Sequence, residues 1–256
     1  MKAMIFAAGV GSRLQPLTDN RPKALVEING RTMLEMALVR LRAFGVSDVI
    51  INVFHFADMI EEYLATNSNF GLRIEISREE TLLDTGGGLK KAAHFFLKNP
   101  GDDSALDATQ PDEPFIVHNV DVLSTIDLHL IVQFHKDNQA LATLAVQDRN
   151  TSRYLLFDDQ LQLRGRRSGG DPVELVSPHE ATHALAFSGI HVISPRLFAL
   201  LTENGAFSII ASYLRLAAQG EKILAFRADK YYWRDLGSPE NIRQAAQDLK
   251  QKLISE

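Results

Sequence analysis

The 256 residues carry 27 Lys and Arg against 32 Asp and Glu, a net charge of −5, with 45% hydrophobic residues and no cysteine. This is the balance of an ordinary globular protein; it argues against a nucleic acid as the main partner and excludes disulfides, thiolate metal sites and cysteine nucleophiles. No apolar run approaches the ~20 residues that cross a bilayer, and the opening KAMIFAAG lacks the layout of a signal peptide, so neither a membrane partner nor export is expected and the location reads as cytoplasmic.

In chain order, residues 3–8 read as a buried strand. Residues 32–44 read as a helix, with Leu34, Ala37, Leu38 and Leu41 on one face. A strand at 48–53 (DVIINV), a helix at 57–64, a strand at 72–76 and a helix at 88–97 follow. Next come a strand at 115–118, a helix at 127–136 and a strand at 141–146. Strands alternating with helices predict a mostly parallel sheet covered on both faces.

After residue 150 the alternation breaks. Residues 154–157 and 161–163 flank Asp158-Asp159-Gln160 and read as a hairpin. A long strand is expected at 184–193, helices at 197–201 and 208–218, and a strand at 223–226. A terminal helix runs from Pro239 to about Leu253, with Ser238 as its N-cap. Two polar segments, 99–114 and 164–180, read as loops. The first is acidic; the second carries Arg164, Arg166 and Arg167 and is open to two readings, a flap over a ligand or an exposed linker.

The segment from Phe6 to Leu25, FAAGVGSRLQPLTDNRPKAL, carries the strongest chemical signal. Its strand ends in Gly9-Val10-Gly11-Ser12-Arg13, where glycines let the backbone turn and approach a ligand closely. Successive N–H groups in such a turn form an anion-binding concavity. Arg13 offers a fork of donors matched to phosphate, and Lys23 adds a compact charge. Neither common dinucleotide or P-loop pattern fits: Leu14 stands where a third glycine would be, and no Gly-Lys-Ser/Thr closes the loop.

As a whole, the string resembles the signature of the sugar-1-phosphate nucleotidyltransferases (NDP-sugar pyrophosphorylases), G-x-G-x-R-L-x-P-L-T-x-x-x-P-K-x-L. The resemblance implies a Rossmann-like α/β fold of three layers, a mixed, mostly parallel sheet flanked by helices. It implies one nucleotidyltransferase domain over 1–256, with a nucleotide-binding half at 1–150 and a sugar-binding half and C-terminal helix at 151–256. Ala8, Gly9, Gly11, Ser12, Arg13 and Lys23 would bind the NTP phosphates, with Arg13 and Lys23 catalytic through charge neutralisation. Ala24 is a mild departure, since the family usually has Pro or a similar residue after the lysine.

Further matches extend the resemblance over nearly the whole chain. Leu83-Asp84-Thr85-Gly86-Gly87-Gly88 resembles the segment that faces base and ribose, so Thr85, Gly86 and Gly87 are expected at the nucleotide; read independently, the glycines open a helix. His118-Asn119-Val120-Asp121 lies at a strand's carboxyl end and resembles the family's x-G-D. Asn119 would then meet the nucleotide and Asp121 both Mg²⁺ and the sugar side, with Val120 in place of the usual Gly. Tyr232-Trp233-Arg234-Asp235-Leu236-Gly237-Ser238 resembles W-x-D-x-G-T/S, which implies Asp235 as the second Mg²⁺ ligand. Phe187-Ser188-Gly189-Ile190 resembles the F/Y-x-G-I strand that places Gly189 at the sugar. Glu174 aligns with an acidic sugar contact, although Leu175 replaces the lysine that commonly follows. Asn52 and Glu79 align near base and sugar.

The implied partners are an NTP, UTP or GTP, and a sugar 1-phosphate, with Mg²⁺ as cofactor. The compact length, LLDTGGGL and FSGIHVISP resemble the short members that join UTP to N-acetylmuramate 1-phosphate in cell-wall recycling. Members that join GTP to mannose or heptose 1-phosphate are the alternative, and a catalytically silent regulatory homologue a third. The histidines, His118 beside Asp121 included, show no metal spacing.

Overall fold

The computed structural model describes residues 1–97, 113–170, 172–176 and 183–251. Strand Lys2–Phe6 is apolar from Ala3 onward because it has a neighbour on each side. Asp48–Val53 runs parallel to it, with Ile5 opposite Ile51 and Phe6 opposite Asn52, and strand Phe115–Asn119 lies on its other edge. Arg73–Arg78 is parallel to Asp48–Val53 on the outside and is the more exposed strand, as an edge position allows. Helix Met33–Ala43 starts where Thr32 accepts a hydrogen bond from the Glu35 amide at 3.0 Å. Its Leu34, Ala37, Leu38 and Leu41 are buried as the spacing predicts. Helix Pro239–Lys250 starts on Ser238, which accepts from the Asn241 amide.

The chain packs as two compact units, neither a continuous segment. The first gathers Met1–Leu83, Val117–Asp127 and the described residues from Tyr231 onward. The second gathers the described residues of Asp84–Ile116 and Leu128–Lys230. Neither follows the halves 1–150 and 151–256. In the second unit, Ala142–Gln147 pairs antiparallel with His183–Ile193 and parallel with Ile223–Arg227. Antiparallel strand Arg153–Phe157 pairs with the start of His183–Ile193, at His183–Leu185, and Leu163–Ser168 and Glu174–Leu175 add antiparallel beyond it. The α/β class is as expected; the parallel pairs dominate the first unit and the antiparallel ones the second.

Three local expectations change. The helix expected at 88–97 begins at Asp84 and runs to Lys91, followed by a short Ala93–Phe96 helix. The glycines therefore lie inside the helix and do not precede it; Asp84, at φ 57°, makes the turn. The second hairpin strand is Leu163–Ser168, so the three arginines sit on a strand. Arg164 pairs with Asp158 at 2.7 Å, Arg166 with Glu174 at 2.6 Å, and Arg167 lies 4.8 Å from the Tyr154 ring centre. Residues 99–112 of the first expected loop, parts of 164–180 and the helix end beyond 251 fall outside the described residues.

Candidate active site

In the first unit the loop at 9–13, expected from the sequence to receive phosphate, is built on buried anchors. Leu14 is fully buried, and Thr18, also buried, donates its hydroxyl to the Gly11 carbonyl at 2.9 Å. Gly11 is at φ 73°, and a Cβ there would lie 3.0 Å from both the Lys23 Cβ and the Thr18 methyl. The position requires glycine twice over, for conformation and for space. The Leu14 amide donates to the Gly11 carbonyl at 2.8 Å, closing a short 3₁₀ turn of Ser12–Leu14. Gly9, Ser12 and Arg13 are left exposed while Ala8 is buried behind them. Pro22 is extended and buried, and it leads into the 3₁₀ turn Lys23–Leu25. Lys23 thereby projects from a fixed backbone.

Two short strands that the sequence did not suggest, Val122–Ser124 and Trp233–Asp235, pair antiparallel, with Asp235 opposite Val122. The Leu236 amide donates to the Asp121 carbonyl at 2.7 Å. This pairing brings together Asp121 and Asp235, which are far apart along the chain. Val120, where the family pattern has Gly, is buried and is not among the positive-φ residues, so a β-branched side chain fits without strain. Its amide donates to the Phe6 carbonyl at 3.1 Å, which ties the approach to Asp121 to the strand that leads into the 9–13 loop.

Each aspartate faces a cation. Lys23 Nζ donates to Asp121 Oδ2, and Arg13 Nη2 lies 4.0 Å from Asp235 Oδ2. Gly237 closes the corner: its amide donates to Asp235 Oδ1 at 2.6 Å, and a Cβ there would lie 2.6 Å from Arg13 Nη2. The strand is braced from the helix side. Asp248, buried, accepts from Tyr232 Oη at 2.6 Å and from Arg234 Nη2 at 3.0 Å. These bonds hold the Asp248 carboxyl below its ordinary range, and burial together with Asp248 pushes the Tyr232 hydroxyl up to about 12.

His118, on the strand that leads to Asp121, is fully buried. Its Nδ1 donates to the Asn119 carbonyl at 2.7 Å, and its Nε2 has no partner. Burial, and next the Arg40 charge, lower its pKa to about 4. The ring is therefore neutral at neutral pH.

Asn52 is not at a ligand-facing surface. It is buried, its Oδ1 accepts from the Ala7 amide at 2.9 Å, and its Nδ2 donates to Glu79 at 2.8 Å. Thr85, Gly86 and Gly87 belong to the second unit, where the Phe207 carbonyl accepts from the Gly86 amide at 2.8 Å and from the Gly87 amide at 3.4 Å. The Thr85 hydroxyl accepts from the Ile209 amide at 3.0 Å, at the start of helix Ile209–Ala218. These groups bond to the segment that leads into helix Ile209–Ala218. Gly189, at φ 71°, sits where the pairing of His183–Ile193 with Ala142–Gln147 shifts register between Phe187 and His191, a bulge that glycine suits. Glu174 is exposed on an edge strand and engaged with Arg166 across the pair.

Asp121 and Asp235 are hard oxygen donors, and Mg²⁺ is held by one or two carboxylates with phosphate and water completing its shell. The pair fits that ion. Among the described residues no three acidic or histidine side chains converge on a further metal position. No described helix is long and apolar enough to cross a membrane.

Comparison with known proteins bears on this site. The model of the family described as "Nucleotidyl transferase" matches residues 2–252. An N-acetylmuramate alpha-1-phosphate uridylyltransferase of Caulobacter vibrioides is 31% identical over 250 residues, covering 93% of this chain and 92% of the relative. A mannose-1-phosphate guanyltransferase of Neurospora crassa is 35% identical over 246 residues, covering 94% of this chain but 62% of the relative. HddC from Yersinia pseudotuberculosis, solved with GMP-PN, superposes with a TM-score of 0.74 at 21% identity over 97% of this chain and 99% of that one.

Proposed function

The chain belongs to the nucleotidyl transferase family and is an enzyme of the sugar-1-phosphate nucleotidyltransferase class, and we propose that its substrates are UTP and N-acetylmuramate 1-phosphate. The product is then UDP-N-acetylmuramate, made in the cytoplasm as part of cell-wall recycling. A relative of that activity matching end to end at 31% identity supports the sugar and the base. The guanylyltransferase of higher identity is matched over only 62% of its length, which makes GTP with mannose 1-phosphate the second reading.

The observation that carries the mechanism is that the paired strands set Asp235 beside the backbone of Asp121, with Lys23 on the Asp121 carboxylate and Arg13 near that of Asp235. A sugar-phosphate oxygen attacks the α-phosphorus of the NTP in line; the new O–P bond forms as the bond to the bridging oxygen breaks, and pyrophosphate leaves. The attacking oxygen is already ionised at neutral pH, so no general base is required. Catalysis is positioning and charge neutralisation. The amides of the exposed residues Gly9 and Ser12 and the Arg13 fork receive the β- and γ-phosphates, while Lys23 follows the charge that moves onto the leaving pyrophosphate. Bound to Asp121 and Asp235, Mg²⁺ would supply electrostatic stabilisation of the reacting phosphates.

A pyrophosphate-release panel across four NTPs and a set of sugar 1-phosphates tests the substrates. Turnover only with UTP and N-acetylmuramate 1-phosphate is expected. Preference for GTP with mannose 1-phosphate moves the assignment to the second reading, and silence with every pair refutes catalysis. Asp121→Ala should abolish Mg²⁺-dependent turnover in a folded protein; retained turnover removes Asp121 from the metal site.

A further inference from the structure

Beneath the phosphate loop runs a buried relay of three hydrogen bonds with two side chains in the middle. The Ala7 amide donates to Asn52 Oδ1 at 2.9 Å, Asn52 Nδ2 donates to Glu79 Oε1 at 2.8 Å, and the Leu83 amide donates to Glu79 Oε2 at 2.9 Å. Asn52 and Glu79 are 3% and 6% exposed. The amide orientation of Asn52 is forced, since a backbone N–H can only donate and a carboxylate can only accept. Both ends are strategic: Ala7 is the root of the phosphate loop, and Leu83 ends the segment that precedes helix Asp84–Lys91. Glu79 is itself fixed, its amide donating to the Val53 carbonyl at 2.8 Å.

We propose that Asn52 and Glu79 are positioning residues that lock the root of the phosphate loop to the 80–83 segment, so that the two move as one and the NTP meets a loop already in its binding shape. The proposal rests on reading residues 9–13 as the NTP loop. Neither side chain touches substrate. Every polar atom they own that the relay needs is committed within the protein, and removing one partner leaves a buried donor or acceptor without a match. The requirement for these residue types follows from the bonds. Position 52 must accept from one side and donate to the other, and position 79 must accept twice.

A double substitution that repairs what each single one breaks provides the test. Asn52→Asp sets two carboxylates against each other. Glu79→Gln sets a donor against the Asn52 or the Leu83 amide. Combined, the new carboxylate at 52 still accepts from Ala7 and now accepts from the new amide at 79, whose oxygen still accepts from Leu83. The middle bond is reversed and all three survive.

Hydrogen exchange by mass spectrometry on the full chain reads the coupling. Each single variant should speed exchange about tenfold in peptides containing the Ala7 amide and in peptides containing the Leu83 amide alike, and elsewhere leave it unchanged. In steady state each should raise the KM for UTP about fivefold or more with little change in that for the sugar 1-phosphate. The double variant should recover both. Exchange confined to the peptide whose own bond was removed, acceleration throughout the chain, a loss of active fraction at constant KM, or no recovery in the double variant would each overturn the proposal. Exchange needs no substrate, so it judges the relay even if wild-type turnover with UTP fails and refutes the substrate reading.

Discussion

His118 should make the protein measurably less stable on mild acidification, through one buried imidazole. In the folded chain its pKa is about 4, against an ordinary value of 6.5. The cause is chiefly burial, then the Arg40 charge, opposed by the bond to the Asn119 carbonyl and by Asp121. The unfolded chain therefore binds a proton as the pH falls below about 6.5, while the folded chain refuses it until about 4. More protons on the unfolded state means stability that rises with pH across this window and is lost on descending it. Integrating between pH 7 and pH 5 gives a loss of about 2 kcal/mol from this residue alone. Other groups titrate in the same range, so the quantity to measure is a difference. His118→Asn keeps an amide able to donate to the Asn119 carbonyl and has nothing to titrate; its cavity cost is the same at both pH values and cancels. Urea unfolding of both proteins in EDTA at pH 7 and pH 5 should show the wild type losing about 2 kcal/mol relative to the variant. A stability gap that does not change with pH would mean that the imidazole is hydrated in the folded state, and the reasoning would fall.

At Gly237, an added methyl would lie 2.6 Å from Arg13 Nη2 and 2.7 Å from Asp235 Oδ1. Gly237→Ala should therefore cut turnover about tenfold or more with little change in melting temperature; full activity would show that the corner is slack. Gly86→Ala should lower the melting temperature by the equivalent of about 1–3 kcal/mol, because the methyl would overlap the Phe207 ring and come within 2.9 Å of its carbonyl oxygen. An unchanged or raised melting temperature, as helix propensity alone would give, would remove that packing role. On the proposed metal assignment, UTP measured by calorimetry should bind about tenfold more tightly with Mg²⁺ than in EDTA, and Asp121→Asn should narrow the difference. Equal affinities in the wild type would refute the assignment.

Long elements were legible because their periodicity is a direct image of burial. Asp48–Val53 and His183–Ile193 follow from apolar runs, and Met33–Ala43 from one apolar face. The strands that assemble the site were not legible. Val122–Ser124 and Trp233–Asp235 have three residues each, too few for any alternation to register. Asn29-Gly30 did carry a readable hairpin signal between Glu27–Ile28 and Arg31–Thr32, with both turn residues at positive φ. Motif residues separated by role. Gly11 packs against Lys23, Lys23 pairs with Asp121, and Asp235 lies opposite Val122 next to it, an arrangement suited to phosphate and metal chemistry. Asn52 looked the same in one dimension, yet its side chain points into the protein, because a pattern match cannot distinguish a residue that touches a ligand from one that holds the loop that does. Gly237 and Asp248 were missed for a related reason: what they do depends on neighbours distant in sequence.

The two cation–carboxylate pairs are unequal, and the inequality bears on order of events. Lys23 and Asp121 are in direct contact with side chains 12% and 18% exposed, whereas Arg13 and Asp235 stand 4.0 Å apart at 70% and 38%. An exposed pair at that separation contributes little, and the long Arg13 side chain is free to reach a phosphate at almost no cost. Lys23 is different. Withdrawing it toward a phosphate leaves the Asp121 carboxylate largely desolvated without a counter-charge, a penalty of the kind that makes breaking a buried pair expensive. A divalent cation held by Asp121 would supply the counter-charge that Lys23 takes away. On the proposed site assignment, Arg13 is therefore the cation poised to meet an incoming triphosphate first, and Lys23 the one held back by its carboxylate.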